Sequence, residues 1–346
     1  MIATSDTAAG GIAPDAVAVG QGFRLAHLSD LHLASPLALS VGDMFSKRLV
    51  GYLSWQLRRR RIHRADVLRV LTEDLRGEGA DHIVVTGDIV NISLVREFQA
   101  AATWLASLGP ADRISVIPGN HDAYVRIGWE GSLAAWRPYM LSDGPPPGEG
   151  DEPNGGGARF PFLRRRGPIA VIGLSSAIPS APGFALGRLG EAQLATAESM
   201  LRWLDPRDVF RVVLVHHPPV APRGDGRKRL LDADAFAAML VRAGCELVLH
   251  GHNHCTRFYE LPGRDGPVPV IGVASASALP VDGHPPGQYH LYRIGRTVGG
   301  WQVDVEIRGI DIDLRVSAAA RRRLTVERPR AAAPVSGLPA PVLRRT

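Results

Sequence analysis

The chain has 346 residues, a mass of 37.1 kDa and 45% hydrophobic residues, which is enough apolar material for a large core. Its two cysteines, Cys245 and Cys255, form no CxxC pair. This argues against a disulfide scaffold or a cysteine-rich zinc site and fits a reducing compartment. The net charge of +6 combines two strongly basic segments with an acidic remainder, a pattern that suggests anionic partners.

The ordered part of the chain is expected to begin at Phe23. Residues 1–22 lack the basic and apolar regions of a signal peptide and are expected to form a flexible tail. From Phe23 onward, short apolar runs alternate with helix-like stretches such as Leu94–Leu108 and Glu191–Leu204. The runs are rich in β-branched residues and are flanked by glycine or proline, which predicts buried strands. Strands that alternate with helices predict an α/β fold.

Five of the apolar runs end in polar residues of the types that bind metal ions. In chain order these endings are Asp30-x-His32, Gly87-Asp88, Gly119-Asn120-His121-Asp122, His216-His217 and Gly251-His252-Asn253-His254. The carboxyl ends of strands are where α/β folds place their sites. The sequence therefore predicts that the five endings form one site.

A basic segment, residues 44–65, follows the first of these endings and contains seven Lys or Arg residues and no acid. Its apolar residues at helical spacing are Phe45, Leu49, Tyr52 and Leu53, and Trp55 follows them. Two interpretations stay open. The segment is either an amphipathic helix that lies on an anionic membrane or a helix that covers the core and has an exposed cationic end. We favour the second.

The remaining segments predict loops, further strands and a tail. Residues 144–157 are rich in proline, glycine and acid and predict a mobile surface loop. Apolar runs between residues 267 and 309 predict strands that complete a second sheet. Residues 314–346, rich in alanine, proline and arginine, are expected to form a basic, disordered tail.

The five endings, in this order, resemble the motifs of the calcineurin-like metallophosphoesterase superfamily over roughly Phe23 to Asp313. Among its branches, the chain looks most similar to the small phosphodiesterases of the cyclic-nucleotide and glycerophosphodiester group. The resemblance implies one metallophosphoesterase domain over residues 23–313. It also implies an α/β fold, a four-layer α-β-β-α sandwich of two mixed sheets flanked by helices.

The resemblance further implies two divalent metal ions (Mn, Fe or Zn) that hold a hydroxide and clamp a phosphate. The implied ligands are Asp30, His32 and His254 for one ion, Asn120, His216 and His252 for the other, and Asp88 as a bridge between both. His121 would approach the leaving-group oxygen as a proton donor or as a positive charge. The catalytic set would therefore be His121, Asn120 and Asp88.

The other seven histidines, at positions 27, 63, 82, 217, 250, 284 and 290, are expected to be structural, although His217 lies close enough in sequence to His216 to touch substrate. Cys255 is not expected to bind metal. Asn91 stands where phosphoprotein phosphatases carry an aspartate that orients the catalytic histidine. An amide can orient His121 but cannot raise its basicity by charge, which favours a diester or pyrophosphate substrate.

The sequence thus predicts hydrolysis of a phosphodiester or pyrophosphate bond in a small phosphorylated substrate, by attack of a metal-bridging hydroxide. Three alternatives stay open: a UDP-2,3-diacylglucosamine-type pyrophosphatase at the membrane, a nuclease of the same superfamily, and a catalytically inactive binding scaffold. Nucleic acid is not an expected partner because no DNA-capping region is evident. The expected location is cytoplasmic, with peripheral contact at the inner face of the membrane left open.

Overall fold

The computed structural model describes residues 22–33, 39–144, 160–205, 207–220, 226–281 and 283–327. Nearly all of the predicted N-terminal tail, the loop predicted over residues 144–157 and the last part of the predicted C-terminal tail lie outside these residues. No helix of the described part is long and apolar enough to cross a membrane.

The described residues form twelve strands and six α-helical stretches. The strands are β1 (Phe23–Leu28), β2 (His82–Val85), β3 (Ile114–Val116), β4 (Phe162–Arg166), β5 (Ile169–Gly173), β6 (Phe210–Leu214), β7 (Leu247–His250), β8 (Arg257–Leu261), β9 (Val268–Gly272), β10 (Gln288–Arg296), β11 (Gly300–Ile310) and β12 (Val316–Glu327). The helices are α1 (Lys47–Ser54), α2 (Arg60–Ile62), α3 (Ala65–Glu78), α4 (Val95–Leu108), α5 (Glu191–Leu204) and α6 (Ala233–Ala243). A π-helical turn, Trp55–Arg59, joins α1 to α2.

The strands form two mixed six-stranded sheets, in the orders β12-β11-β10-β1-β2-β3 and β4-β5-β6-β7-β9-β8. Strands β1, β2 and β3 are parallel to one another, as are β5, β6, β7 and β9. Antiparallel strands lie outside these parallel groups. In each sheet, the carboxyl ends of the parallel strands therefore lie at the same edge.

The alternation of side chains along each strand explains how the sheets pack. In β5, Val171 belongs to the large core that contains residues of both sheets, whereas Ala170 and Ile172 belong to a second core with α5 and α6. Helix α3 contacts β11 and β12 of the first sheet. Two mixed sheets flanked by helices were predicted from the sequence, and the structure confirms this fold.

Strand β12 corrects the predicted boundary of the C-terminal tail. Residues expected to be disordered from position 314 instead pair along the whole of β11. Cross-strand ion pairs join Arg321 to Glu306 at 3.1 Å and Arg323 to Asp304 at 2.6 Å, and Val326 is buried in the core. The arginines that suggested a tail therefore neutralise acids on the neighbouring strand.

The basic segment is helical, and it covers part of the core. Tyr52 and Trp55 pack against Ile92 and Leu94. Trp55 therefore packs against the protein, which supports the interpretation of the segment as a helix that covers the core. The large apolar side chains of the segment that are exposed are Met44, Phe45, Val50, Leu53 and Leu57.

Candidate metal centre

The five polar endings predicted to form one site do meet, because the parallel strands that precede them end at the same edge of the two sheets. Asp30, His32 and Asp88 follow β1 and β2, Asn120 and His121 follow β3, and the remaining predicted ligands follow β6 and β7. The structure brings all seven predicted metal-binding residues together, and four of them (Asp88, Asn120, His252 and His254) line a cavity of about 410 Å³.

The first group contains Asp30, His32, Asp88 and His254, which each offer a donor atom within 4.8 Å of the others. His254 Nε2 lies 3.2 Å from His32 Nε2 and 3.1 Å from Asp30 Oδ1. Burial, together with neighbouring histidines, holds the pKa of His32 well below its usual value, so its ring is neutral. Two imidazole rings and two carboxyl groups that converge in this way match the ligand set of a divalent ion.

The second group is built around His216, which is fully buried. Its Nδ1 lies 2.6 Å from the carbonyl oxygen of Thr86 and donates to it, which directs Nε2 toward the other predicted ligands. That Nε2 lies 3.2 Å from Asn120 Oδ1, 3.3 Å from His252 Nδ1 and 3.4 Å from Asp88 Oδ2. Four donor atoms from four different loops thus converge on one point.

Asp88 lies between the two groups. Its carboxylate belongs to the first group and also faces His216 of the second. Although burial disfavours a charged imidazole, the carboxylate of Asp88 raises the pKa of His216 to about 9. The cluster therefore stabilises a positive charge next to His216, and a bound divalent cation would supply that charge.

The backbone at the site is strained in a way that is rare elsewhere in the described chain. Seven residues other than glycine have a positive φ, and five of them are predicted ligands: Asp30, His32, Asp88, His252 and His254, with φ between 40° and 71°. Left-handed backbone at such residues costs free energy and persists where surrounding structure enforces it, typically at functional sites. The left-handed turn after β7 also means that His250, His252 and His254 do not lie on one extended face.

A buried carboxylate that binds no metal in our assignment holds the loops in place. Asp122 accepts hydrogen bonds from the backbone N–H groups of Asp88, Ile89, Val90 and Gly119, at 2.8 to 3.0 Å. The loops after β2 and β3 are therefore fixed to each other. Gly119 is required for this approach, because a Cβ there would collide with the carboxylate of Asp88.

His121 stands beside the metal-binding groups with its ring facing the cavity. Its backbone N–H donates to Asp88 Oδ1 at 2.7 Å, and its ring stacks on Tyr124. Burial and the nearby Arg59 guanidinium lower the pKa of His121 to about 3, so the ring is neutral in the free chain. Its Nδ1 donates to the backbone carbonyl of Asn91 at 2.5 Å.

This last contact corrects the role expected for Asn91. The backbone carbonyl of Asn91 orients His121, whereas its side-chain amide donates to the carbonyl of Leu33 at 2.9 Å. The segment is held by Glu97, whose carboxylate accepts from the N–H groups of Asn91, Ile92 and Leu94. The side-chain type at position 91 therefore does not decide how His121 is oriented.

Two histidines expected to be structural line the cavity, namely His63 and His284. His63 also lies close enough to His32 and His254 to form a third donor group, while its Nδ1 is held by Ser277 Oγ at 2.9 Å. Arg59 was not singled out by the sequence either, and its Nη1 lies 2.8 Å from His121 Nε2. His63 and Arg59 both belong to the basic segment. The positive charge of that segment was the only feature of the sequence that drew attention to them.

The remaining predictions concern three residues near the ligands. His250 is a buried strand residue, as expected, and its Nδ1 lies 3.0 Å from the carbonyl of Gly251. His217 lies with His216 and His252 in a donor group, and its Nδ1 lies 2.8 Å from Ser176 Oγ. Cys255 is half-buried and lines the cavity, but it belongs to none of the donor groups found among the described residues.

Comparison with known proteins gives one family. The family described as calcineurin-like phosphoesterase matches residues 23–256. A protein named glycerophosphodiester phosphodiesterase GpdQ, from Enterobacter lignolyticus (strain SCF1), is 30% identical over 240 residues. The match covers 66% of this chain and 70% of that protein.

Solved structures share the fold at low sequence identity. A dimetal phosphatase from Danio rerio has a TM-score of 0.57 at 12% identity, with 89% of this chain and 100% of that chain covered. The purple acid phosphatase PPD1 from yellow lupin seeds has a TM-score of 0.53 at 14% identity, with 93% of this chain and 57% of that chain covered. These two likenesses concern the fold alone.

Proposed function

The chain belongs to the calcineurin-like phosphoesterase family, whose members are metal-dependent phosphoester hydrolases, and on this premise we propose that it cleaves a phosphodiester or pyrophosphate bond at a pair of divalent ions. One observation carries the proposal: two groups of side chains suited to metal binding meet at Asp88, which lines a single cavity. A carboxylate has two oxygens and can serve one ion with each.

The proposed assignment divides the ligands by their contacts. Asp30, His32 and His254 hold one ion; Asn120, His216 and His252 hold the other; Asp88 serves both. When bound, two divalent ions polarise the phosphoryl oxygens and supply a nucleophile at neutral pH. Imidazole and carboxylate ligands suit manganese, iron and zinc.

The chain's own residues position the substrate and manage charge near the leaving group. His121 is tied through its backbone to Asp88, and its ring faces the cavity, which supports a role next to the leaving-group oxygen. A ring in that place can pass a proton to the departing oxygen or stabilise its charge.

A diester substrate is supported by the bacterial relative, which is named as a glycerophosphodiester phosphodiesterase. The cavity, of about 410 Å³, also has the size typical of small-molecule sites. We therefore propose a small phosphodiester as the substrate and a pyrophosphate as the nearest alternative.

A panel of phosphoesters tests this proposal. Protein loaded with Mn²⁺ is assayed on an aryl diester, cyclic nucleotides, glycerophosphodiesters, a nucleotide-lipid pyrophosphate, an aryl monoester and double-stranded DNA. We expect a diester or the pyrophosphate to give the highest kcat/KM, and an Asp88→Ala protein purified in parallel excludes contaminating phosphatases. Faster turnover of the monoester, or turnover that does not depend on metal, would contradict the proposal.

A second candidate substrate, a lipid-linked pyrophosphate, is favoured by the surface next to the cavity. Val50, Leu53 and Leu57 are exposed on the basic segment, beside the exposed cations Arg58 and Arg61. Exposed apolar side chains that adjoin cations are typical of helices that lie on anionic membranes. The segment lines the cavity through Ser54 and Arg58, so a lipid held at this surface would lie close to the metal centre.

A further inference from the structure

The π-helical turn Trp55–Arg59 places Arg59, one of the four consecutive arginines Arg58–Arg61, next to His121 at the metal centre. A π-helical turn inserts an extra residue into a helix, shifts the side chains that follow, and is frequent at functional sites. Arg58 and Arg59 both line the cavity, but Leu57, Arg58 and Arg60 are exposed, whereas Arg59 is partly buried and contacts His121.

The turn is held firmly from both sides. Upstream, Arg48 donates to the carbonyl oxygens of Ile92 and Ser93, at 3.2 and 2.6 Å. Gly51 lies so close to Ile92 that a Cβ would approach its side chain to 2.6 Å. Downstream, the N–H of Arg64 donates to the carbonyl of Ser277 at 2.9 Å. The position of Arg59 is therefore set by the fold and does not depend on a free helix end.

No described carboxylate lies within ion-pair distance of Arg59; burial lowers the pKa of its guanidinium, and Asp88 and Asp30 oppose this only from farther away. Its Nη1 contacts only the ring of His121, at 2.8 Å from Nε2 and 3.2 Å from Nδ1. It forms no ion pair with any described carboxylate, whereas Arg48 pairs with Asp43 and Arg64 pairs with Asp66. A partly buried guanidinium without a directly bonded anion is costly, and its planar set of donors matches phosphate oxygens.

Orienting His121 does not account for Arg59. The His121 ring is already fixed by its hydrogen bond to the Asn91 carbonyl and by its stacking on Tyr124. The Arg59 guanidinium faces the cavity next to the residue that we place at the leaving group. It lies where an oxygen of a bound phosphate would replace the imidazole as its partner.

We propose that Arg59 is a substrate-binding residue that donates hydrogen bonds to a phosphate oxygen on the His121 side of the metal centre. The ligand class is an anionic phosphoryl group, whether part of a diester or of a pyrophosphate. The inference rests on the proposed function, since it assumes that the phosphate is held in the same cavity.

Inorganic phosphate is the probe, and its binding to Mn²⁺-loaded protein is measured by calorimetry. We expect Arg59→Ala to raise the Kd of phosphate by roughly 10- to 100-fold, the range for loss of a hydrogen bond between charged groups. Arg59→Lys keeps the charge but loses the planar donors, so it should recover only part of the affinity. Arg60→Ala is the matched control, because Arg60 is exposed and contacts Gln56; it should change the Kd less than twofold.

A double-mutant cycle separates direct contact from an effect through His121. If Arg59 contacts phosphate, Arg59→Ala should weaken phosphate binding just as strongly in a His121→Ala protein. A loss that disappears in that background, or an Arg59→Ala protein that binds phosphate like Arg60→Ala, would overturn the proposal. Metal analysis and circular dichroism verify that each variant is loaded and folded.

Measurements of turnover distinguish a failure of this proposal from a failure of the proposed function. If wild-type protein hydrolyses a phosphoester and Arg59→Ala has the kcat/KM of wild type, only the role of Arg59 fails. If the loaded wild-type protein hydrolyses no phosphoester at all, the proposed function fails, and the substrate role of Arg59 fails with it.

Discussion

Asp88 is the residue through which the two metal-binding groups meet. Its Oδ1 accepts from the backbone of His121, and its Oδ2 faces His216. We expect Asp88→Ala to abolish turnover and to lower bound metal at both positions, because each ion loses a ligand. Elemental analysis and an aryl diester assay measure the two effects.

The exposed Asp112 provides a control, since Asp112→Ala should change neither the bound metal nor the turnover. An Asp88→Ala protein that keeps two ions and a near-normal rate would show that Asp88 does not bridge.

His121 lies next to Asn120 in sequence but has no ligand role in our assignment. We expect His121→Ala to keep both metals and to slow turnover by roughly 10²- to 10⁴-fold, the usual range for a positioned acid or base. The loss should be smaller for a diester with an acidic leaving group, which needs no proton. Steady-state rates for a series of aryl diesters measure this. Loss of a metal ion would contradict the assignment, and equal losses across the series would indicate electrostatic stabilisation.

The sequence allowed the five polar endings to be predicted as one cluster because each follows an apolar run, whereas their assignment as metal ligands was implied by the family resemblance. Arg59 could not be predicted in the same way. It lies in a run of four arginines, and only the helical register, with its π-helical turn, distinguishes it from Arg58 and Arg60. His63 was missed because its place at the cavity depends on its contact with Ser277, which is distant in sequence.

At the scale of elements, strand β2 carries a buried histidine that should make the fold sensitive to acid. His82 is fully buried, and its Nε2 lies 2.8 Å from Ser115 Oγ on β3. Burial, assisted by Arg166 and Arg164, lowers the pKa of His82 to about 3. The unfolded chain takes up a proton near its ordinary pKa of about 6.5, whereas the folded chain does not until about pH 3.

The contribution of His82 to stability is therefore complete above about pH 6.5 and declines as the pH falls, by about 1.4 kcal/mol per pH unit. His82→Gln keeps a polar side chain and removes this titration. We expect its free energy of unfolding to fall less between about pH 7.5 and about pH 5.5 than that of wild type. Urea denaturation at the two pH values measures the difference. The same fall in both proteins would contradict the account.

The parallel strands and the helices α4 and α5 could be predicted because their apolar patterns are local. Strand β12 could not, since its arginines and alanines lack the alternation of a half-buried strand. Its pairing depends on β11, where Glu306 and Asp304 provide partners for Arg321 and Arg323. Contacts between strands thus override a composition that is typical of a disordered tail.

At the scale of the whole molecule, the exposed side of the basic segment predicts binding to anionic vesicles. Leu53 and Leu57 would enter the lipid interface, and each nearby cation would contribute about 1 kcal/mol. We expect protein without residues 328–346 to co-sediment with anionic vesicles at low salt. Binding should weaken as salt rises, because exposed charges are screened beyond about 8 Å at physiological ionic strength.

A variant with Leu53, Leu57, Arg58 and Arg61 changed to serine provides the comparison, since it leaves Arg59 and the metal-binding residues in place. It should stay in the supernatant with the same vesicles. If the unchanged segment also stays in the supernatant at low salt, the membrane interpretation fails. A soluble phosphodiester would then be the preferred substrate.

The claim that connects residues, sheets and function is that two metal ions act together in one cavity. Protein stripped by a chelator is titrated with Mn²⁺ while hydrolysis of bis(p-nitrophenyl) phosphate is followed. We expect the rate to rise until two ions are bound per chain and then to stay constant, because both groups of ligands must be filled before the phosphate is clamped. A rate that reaches its maximum at one ion per chain, or that is unchanged by removal of metal, would contradict the claim.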